Sequence, residues 1–169
     1  MQAIRLTLVF AVVTGLIYGV GMTGIIQVLF HDQANGSLIV QSGQVVGSSL
    51  IGQQFSADKY FQGRYSANSY EADNSYGSNL GPSNQALIDR VASSARAFRQ
   101  ANGLGPNDQV PVDIVTGDFS GLDPNITEAS ALLQVNRVAQ ARGLDPSKLR
   151  ALVEKHVHGR ILWILANSM

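Results

Sequence analysis

Residues 6–30 read LTLVFAVVTGLIYGVGMTGIIQVLF, 25 residues without one charged side chain. Fourteen of the 25 are Leu, Ile, Val or Phe. As a helix the stretch spans about 37 Å, which exceeds a hydrocarbon core of roughly 30 Å. Those fourteen residues favour insertion by at most about 4 to 8 kcal/mol on a transfer scale of −0.3 to −0.6 kcal/mol each. The sequence therefore predicts one N-terminal transmembrane helix over 6–30, a short N-terminus over 1–5, and one domain over 31–169. A cleaved signal peptide is the competing reading. Its apolar region runs only ~7–15 residues. The one small residue soon after this stretch is Ala34, and cleavage there would put Asp32 at the −3 position.

Orientation rests on Arg5 and the α-amino group, which precede the stretch. After it, no Lys or Arg occurs until Lys59. The positive-inside tendency then places residues 1–5 in the cytoplasm and the domain outside. Within the helix, Ala11, Gly15, Gly19 and Thr23 recur every four residues. Small residues in such a row let a second helix approach closely, which drives association where lipid is as apolar as leucine. The competing reading is that glycine is common in membrane helices. A row of four points instead to a helix-packing face.

The remainder is close to neutral. The whole chain holds 12 basic and 12 acidic residues and no cysteine. Zero net charge argues against nucleic acid, which needs a clustered basic excess. Lack of cysteine excludes disulfides, zinc–thiolate sites and cysteine nucleophiles. Seventeen glycines indicate a domain rich in tight turns.

Short strands are expected at Ser37–Val40 and Gln44–Gly52. The aromatic, polar stretch 55–84 has neither period and reads as an ordered loop region. Asn84 is placed to cap a helix from Gln85 to about Asn102, with Leu87, Ile88, Val91, Ala92, Ala95 and Phe98 inward and Arg90, Arg96 and Arg99 facing away. Val110–Thr116 reads as a strand with Pro111 near its start. A second helix is capped by Thr127, buries Leu132, Val135, Val138 and Ala139, and stops at Gly143. A third begins at Asp145-Pro146, carries Leu149, Leu152, Val153 and Val157 inward, and closes at Gly159. Ile161–Leu165 is apolar enough for a final strand. Interspersed helices and strands give an α+β or α/β domain.

Catalytic signals are thin. His156 and His158 lie about 200° apart around a helix, the wrong geometry for a metal pair. Neither a Gly-x-Ser-x-Gly elbow nor a Walker phosphate loop is present. Asp113, Asp118, Asp123 and Glu128 cluster in sequence, but carboxylates in glycine-rich loops usually hold turns. The richest segment is Ser75-Tyr76-Gly77-Ser78-Asn79-Leu80-Gly81-Pro82-Ser83-Asn84. Its small residues leave backbone N–H groups free, and it runs into a helix N-terminus, a combination that can hold an anion. It contains no Lys or Arg, so a tight capped turn is the competing reading.

Across this loop and most of the chain the sequence resembles the C subunit of the Kdp potassium-transporting P-type ATPase. The segments that carry the resemblance are Asn35–Leu38, Ile51–Phe55, Tyr60–Ala67, Gly77–Asn84, Val110–Thr116, Ser120–Pro124 and Arg137–Gly143, in the family's order. Departures are Tyr65 and Asn136 where the family has Pro, Tyr76 where it has Gly, and Asn125 where it has His. The family usually continues beyond the last helix with a Gly-rich turn and a further strand, so a shortened closing strand is expected before Met169.

The resemblance implies a non-catalytic accessory subunit of the bacterial inner membrane with no cofactor of its own. Its implied partners are a channel-like A subunit that carries potassium, a P-type ATPase B subunit and a small F peptide. It also implies assembly or stabilisation of that complex and a catalytic-chaperone role that raises ATP affinity. Nucleotide contact, if carried over, falls on Ser75, Gly77, Ser78, Asn79, Gly81, Ser83 and Asn84. An independent membrane-tethered enzyme and a direct ATP-binding module are the rival readings.

Overall fold

The computed structural model describes residues 1–158 of the chain. It separates into two compact units, Met1–Ser49 and the residues from Leu50 on. The class is mixed α+β, with six helices and one two-stranded sheet among the described residues.

In the first unit, α1 runs continuously over Gln2–Leu29 with a mean hydropathy of 2.0, and none of its side chains is buried. Between Ala11 and Tyr18 its turns widen to π geometry. Two threonines return their hydroxyls to the helix, Thr14 to the Phe10 carbonyl at 2.7 Å and Thr23 to the Gly19 carbonyl at 2.8 Å. These bonds satisfy the two hydroxyls within the helix itself, as an apolar surrounding requires. A single turn, α2 (His31–Ala34), follows. The hairpin of β1 (Leu38–Gln41) and β2 (Gln44–Ser48) is antiparallel, with a register shift between Ile39 and Val40. Ser42 and Gly43 both have positive φ, the requirement of a two-residue hairpin turn that matches strand twist.

The second unit is built on three longer helices. Asn84 caps α3 (Gln85–Ala101) by accepting from the Ala86 N–H at 2.9 Å. Thr127 caps α5 (Glu128–Arg142), and Gly143 ends it in the left-handed conformation that lets Leu144 N–H reach the Ala139 carbonyl at 2.9 Å. Asp145 caps α6 (Pro146–Lys155) through the Ser147 N–H at 2.8 Å. All three starts are those the capping residues predict. One core cluster joins α5 and α6 through Val135, Val138, Ala139, Leu149 and Val153, with Phe61 and Ile126 packed against it. The other sets Phe98 of α3 against Ile114 and Val115.

Three expectations change. Val110–Thr116 is not a strand: Val112–Val115 forms one helical turn, α4, with Pro111 as its N-cap. Thr116 closes that turn through both its N–H (2.9 Å) and its hydroxyl (2.7 Å) to the Val112 carbonyl. This turn buries Asp113, Ile114 and Val115 together. A strand would send alternate residues to opposite faces, so packing overrides the β-branched run. The second expected strand ends at Ser48 rather than Gly52. Gly52 instead donates to the Leu122 carbonyl at 2.8 Å and lies under the Tyr70 ring, where a Cβ would collide. Finally, the inward stripes are narrower than drawn. Ile88 and Ala92 of α3 and Leu152 of α6 are exposed. Gly159 and Ile161–Leu165 lie outside the described residues.

Candidate functional site

Four of the segments that carry the resemblance, Tyr60–Ala67, Val110–Thr116, Ser120–Pro124 and Arg137–Gly143, contribute to three polar hubs of the second unit. In the first, the Asp113 carboxylate of α4 accepts from the Thr127 N–H (2.8 Å), the Thr127 hydroxyl (3.1 Å) and the Ser130 hydroxyl (2.8 Å). A carboxylate is thereby taken out of water with its lone pairs occupied, which offsets much of the burial cost.

Arg137 centres the second hub. It is buried, yet among the described residues no carboxylate forms a salt bridge with it. Its Nε donates to Asn102 Oδ1 (2.9 Å), Nη1 to the carbonyls of Asp58 (2.6 Å) and Tyr60 (3.1 Å), and Nη2 to Gln134 Oε1 (2.8 Å). Gln134 in turn accepts from the Gln62 N–H at 2.7 Å and donates to the Gln62 carbonyl at 3.2 Å. Burial pushes the guanidinium below its usual range, while Asp58 opposes that shift. One planar fork thus pins the irregular 58–62 segment to the end of α3 and the middle of α5.

In the third hub, Arg64 Nη1 pairs with Asp123 Oδ2 at 2.8 Å, and the Tyr70 hydroxyl donates to the Arg64 carbonyl at 2.7 Å. Burial raises the Tyr70 hydroxyl, and the charges of Asp118 and Asp123 add to the effect. Burial also pushes the Asp118 carboxyl up. Bonds from the Ser120 hydroxyl (2.6 Å) and the N–H groups of Asp123 (2.8 Å) and Gly121 (2.8 Å), with Arg64 nearby, outweigh it and hold Asp118 below the ordinary value. Asp118 and Asp123 are turn-holders, as carboxylates in glycine-rich loops tend to be.

The Ser75–Asn84 loop is seated on the Asp118–Gly121 turn. Ser75 donates to the Ser120 carbonyl at 3.0 Å. A Cβ on Gly77 would stand 3.1 Å from the Phe119 carbonyl and 3.2 Å from that of Asp118, tight contacts that favour glycine here. Asn79 is left-handed at φ 51°. Gly77, Ser78 and Asn79 line a cleft of about 240 Å³ with Arg90, Thr116 and Phe119. Ser75, Gly81, Ser83 and Asn84 do not line it, and Asn84 spends its side chain on the α3 cap.

Arg90 corrects the sequence expectation. It does not face away: its guanidinium lies 4.2 Å from the centroid of the Tyr65 ring, and its Nε is buried without a hydrogen-bond partner. A long stem with a flat cationic head stacks well on an aromatic face. The cation that the loop itself lacks is thus supplied from the second turn of the helix it opens. The signal in the sequence was Arg90 beside the Leu87–Val91 stripe, one turn and a half after the cap. Asp118 lines the same cleft, so its charge is mixed rather than purely positive.

In the first unit, Ala11, Gly15, Gly19 and Thr23 follow one another along α1, and nothing lies within 4 Å of a Cβ built on Gly15 or Gly19. A four-residue step overshoots an α-helical turn by about 40°. The wider turns from Ala11 to Tyr18 hold more residues each and pull that drift back, so the row runs straighter along the helix. Among the described residues no group of three or more His, Cys, Asp or Glu could hold a metal ion. His156 is hydrogen-bonded to the Leu152 carbonyl at 2.8 Å.

Comparison with known proteins adds the decisive observation. Residues 1–169 match the family described as KdpC: K+-transporting ATPase, c chain. The chain belongs to this family. A potassium-transporting ATPase KdpC subunit from Paraburkholderia xenovorans is 50% identical over 168 residues, covering 98% of this chain and 87% of that protein. A namesake from Mycobacterium tuberculosis strain H37Rv is 47% identical over 167 residues, with 98% and 88% covered. Another from Rhodopseudomonas palustris is 49% identical over 177 residues, with 96% and 87% covered. The KdpC relatives thus align across both compact units, the apolar helix included.

Proposed function

We propose that the protein is an accessory, non-catalytic subunit of the high-affinity, ATP-driven potassium uptake complex Kdp, which it assembles and stabilises. The observation that carries this reading is the family match along residues 1–169, joined to a 28-residue apolar helix that buries nothing of its own. In this reading α1 spans the bacterial inner membrane with residues 1–5 in the cytoplasm and residues 31–169 outside. Its small-residue row packs on helices of the potassium-carrying A subunit, and the domain caps the extracellular mouth of that subunit. The ATPase B subunit and the small F peptide complete the complex. The protein has no cofactor of its own, and ATP enters through the B subunit.

Raised ATP affinity of the complex is then transmitted through subunit contacts. A direct nucleotide contact is the second reading. It is favoured by Arg90 lining the cleft with Ser78 and Asn79. The mixed charge of that cleft and a location away from cytosolic ATP both speak against it.

Replacing Gly15 and Gly19 together with Leu tests the main reading. The variant should still insert in the membrane but lose the other subunits on affinity purification; unchanged recovery of the complex would remove the packing claim. Saturable ATP binding by the whole chain, abolished by Ser78→Ala with Asn79→Ala, would transfer support to the second reading.

A further inference from the structure

Between Leu8 and Ile26 of α1 three side chains carry a hydroxyl or other hydrogen-bonding group: Thr14, Tyr18 and Thr23. Both threonines return their hydroxyls to carbonyls of their own helix. Tyr18 has no such recourse. Its hydroxyl stands at the far end of an aromatic ring, the side chain is 65% exposed, and the hydroxyl meets no acceptor among the described residues. Tyr18 is also the central residue of the uncharged stretch 6–30, twelve residues from either end. That is about 18 Å along a helix axis, too far for a tyrosine to bring its hydroxyl out to the headgroups.

In the membrane-spanning reading of α1, on which this inference rests, that hydroxyl lies in hydrocarbon. Acyl chains offer no acceptor, and a polar group left unpaired at such depth is destabilising. Tyrosine belongs by its chemistry at the membrane interface, where one end stays wet. Its place at the centre therefore calls for an acceptor brought by another protein. The backbone beside it is open to one. The π segment Ala11–Tyr18 ends at this residue, and nothing lies within 4 Å of a Cβ built on Gly15 or Gly19. Such bare backbone lets a neighbouring helix come close enough for its oxygens to meet the phenol. A second copy of α1 is a poorer partner. It would bring the same phenol and two threonine hydroxyls already spent on their own helix, so one donor of the pair would stay unmatched. We infer that the Tyr18 hydroxyl donates to an oxygen acceptor, backbone or side-chain, on a membrane-buried helix of the potassium-carrying subunit, and so fixes how the small-residue row docks there.

Tyr18→Phe keeps the ring and removes only the hydroxyl. In the complex purified through this chain, the A subunit retained at rising detergent should fall about threefold to tenfold, the range of one interhelical hydrogen bond. The level of the chain in the membrane should stay unchanged. A second arm reads the contact itself. With p-benzoylphenylalanine in place of Tyr18, irradiation of intact membranes should join the chain to the A subunit. Retention by Tyr18→Phe equal to that of the natural chain overturns the inference. So do adducts with lipid alone, or only with a second copy of this chain. If Gly15→Leu with Gly19→Leu releases the A subunit while Tyr18→Phe does not, the accessory-subunit reading stands and this inference falls. If the natural chain recovers no A subunit, that reading falls and takes the inference with it.

Discussion

Two helices of similar importance solve opposite problems. The 28-residue α1 buries no side chain. The 15-residue α5 buries seven, among them Gln134, Arg137 and Ser130. α1 has a mean hydropathy of 2.0; in α5 the most enclosed positions are partly polar. The difference shows where each helix finds its stability. The second unit supplies α5 with its own hydrogen-bond partners and core, so its polar residues can be inside. Among the described residues none of α1 is buried; in the proposed function lipid and the helices of other proteins cover it. Stability of the second unit and assembly through α1 should therefore respond to different substitutions.

The largest expected effect is at Arg137. Arg137→Ala removes the donor from four acceptors at once. Each buried group left unpaired costs about 1–3 kcal/mol, so a loss of at least about 3 kcal/mol should appear in urea unfolding of the detergent-solubilised protein. Arg137→Lys should recover less than half, because an ammonium cannot serve three directions in one plane. Full recovery by Lys would show that charge, not the fork, matters there.

Gly121→Ala comes next. Gly121 has φ +73°, and a Cβ would collide with the Asn68 side chain, the hub of the 66–74 turn. Strain of this kind is of order 1–3 kcal/mol, read as a lowered melting temperature.

A smaller effect follows from Asp118. Its folded-state carboxyl lies below the ordinary 3.8, so the ionised form is favoured by folding. That contribution is fully present above the unfolded value and is lost as pH falls through the lower folded one. Melting curves taken from pH 6 downward should therefore fall off more steeply for the natural protein than for Asp118→Asn. The variant should also be weaker by about 1 kcal/mol at neutral pH, where charge-assisted bonds become neutral ones. Parallel curves for the two would deny Asp118 its turn-holding role.

The smallest effect on stability is the most informative contrast. Gly15→Leu with Gly19→Leu meets empty space in this chain and should change unfolding of the second unit by no more than about 0.5 kcal/mol. The same pair should abolish recovery of the complex. A variant that damages both, or neither, breaks the division between the two helices.

Much of this was legible in the sequence because it is local. Asn84, Thr127 and Asp145 announce three helices by the chemistry of their caps, and Gly143 announces an end. The membrane-length helix is legible from composition alone. What was not legible depends on residues far apart in the chain. Val112–Val115 turns helical because Asp113 must reach Thr127 and Ser130, 14 and 17 positions away. Arg90 turns inward because Tyr65, in a segment of no regular period, offers it a ring. Arg137, in the middle of α5, has its acceptors only once the distant 58–62 backbone folds over it. The Ser75–Asn84 loop holds no cation of its own, and the one that lines its cleft, Arg90, stands six positions beyond its end.

The central claim is a helix held in the bilayer with the rest of the chain kept from the cytosol. Lys59 is the first Lys or Arg after α1, and the chain has no cysteine to compete. Lys59→Cys in the full-length protein, exposed in intact cells to a membrane-impermeant maleimide, reads the side directly. Labelling before lysis is the predicted result. Labelling only after the membrane is opened would place the domain beside cytosolic ATP and contradict the account.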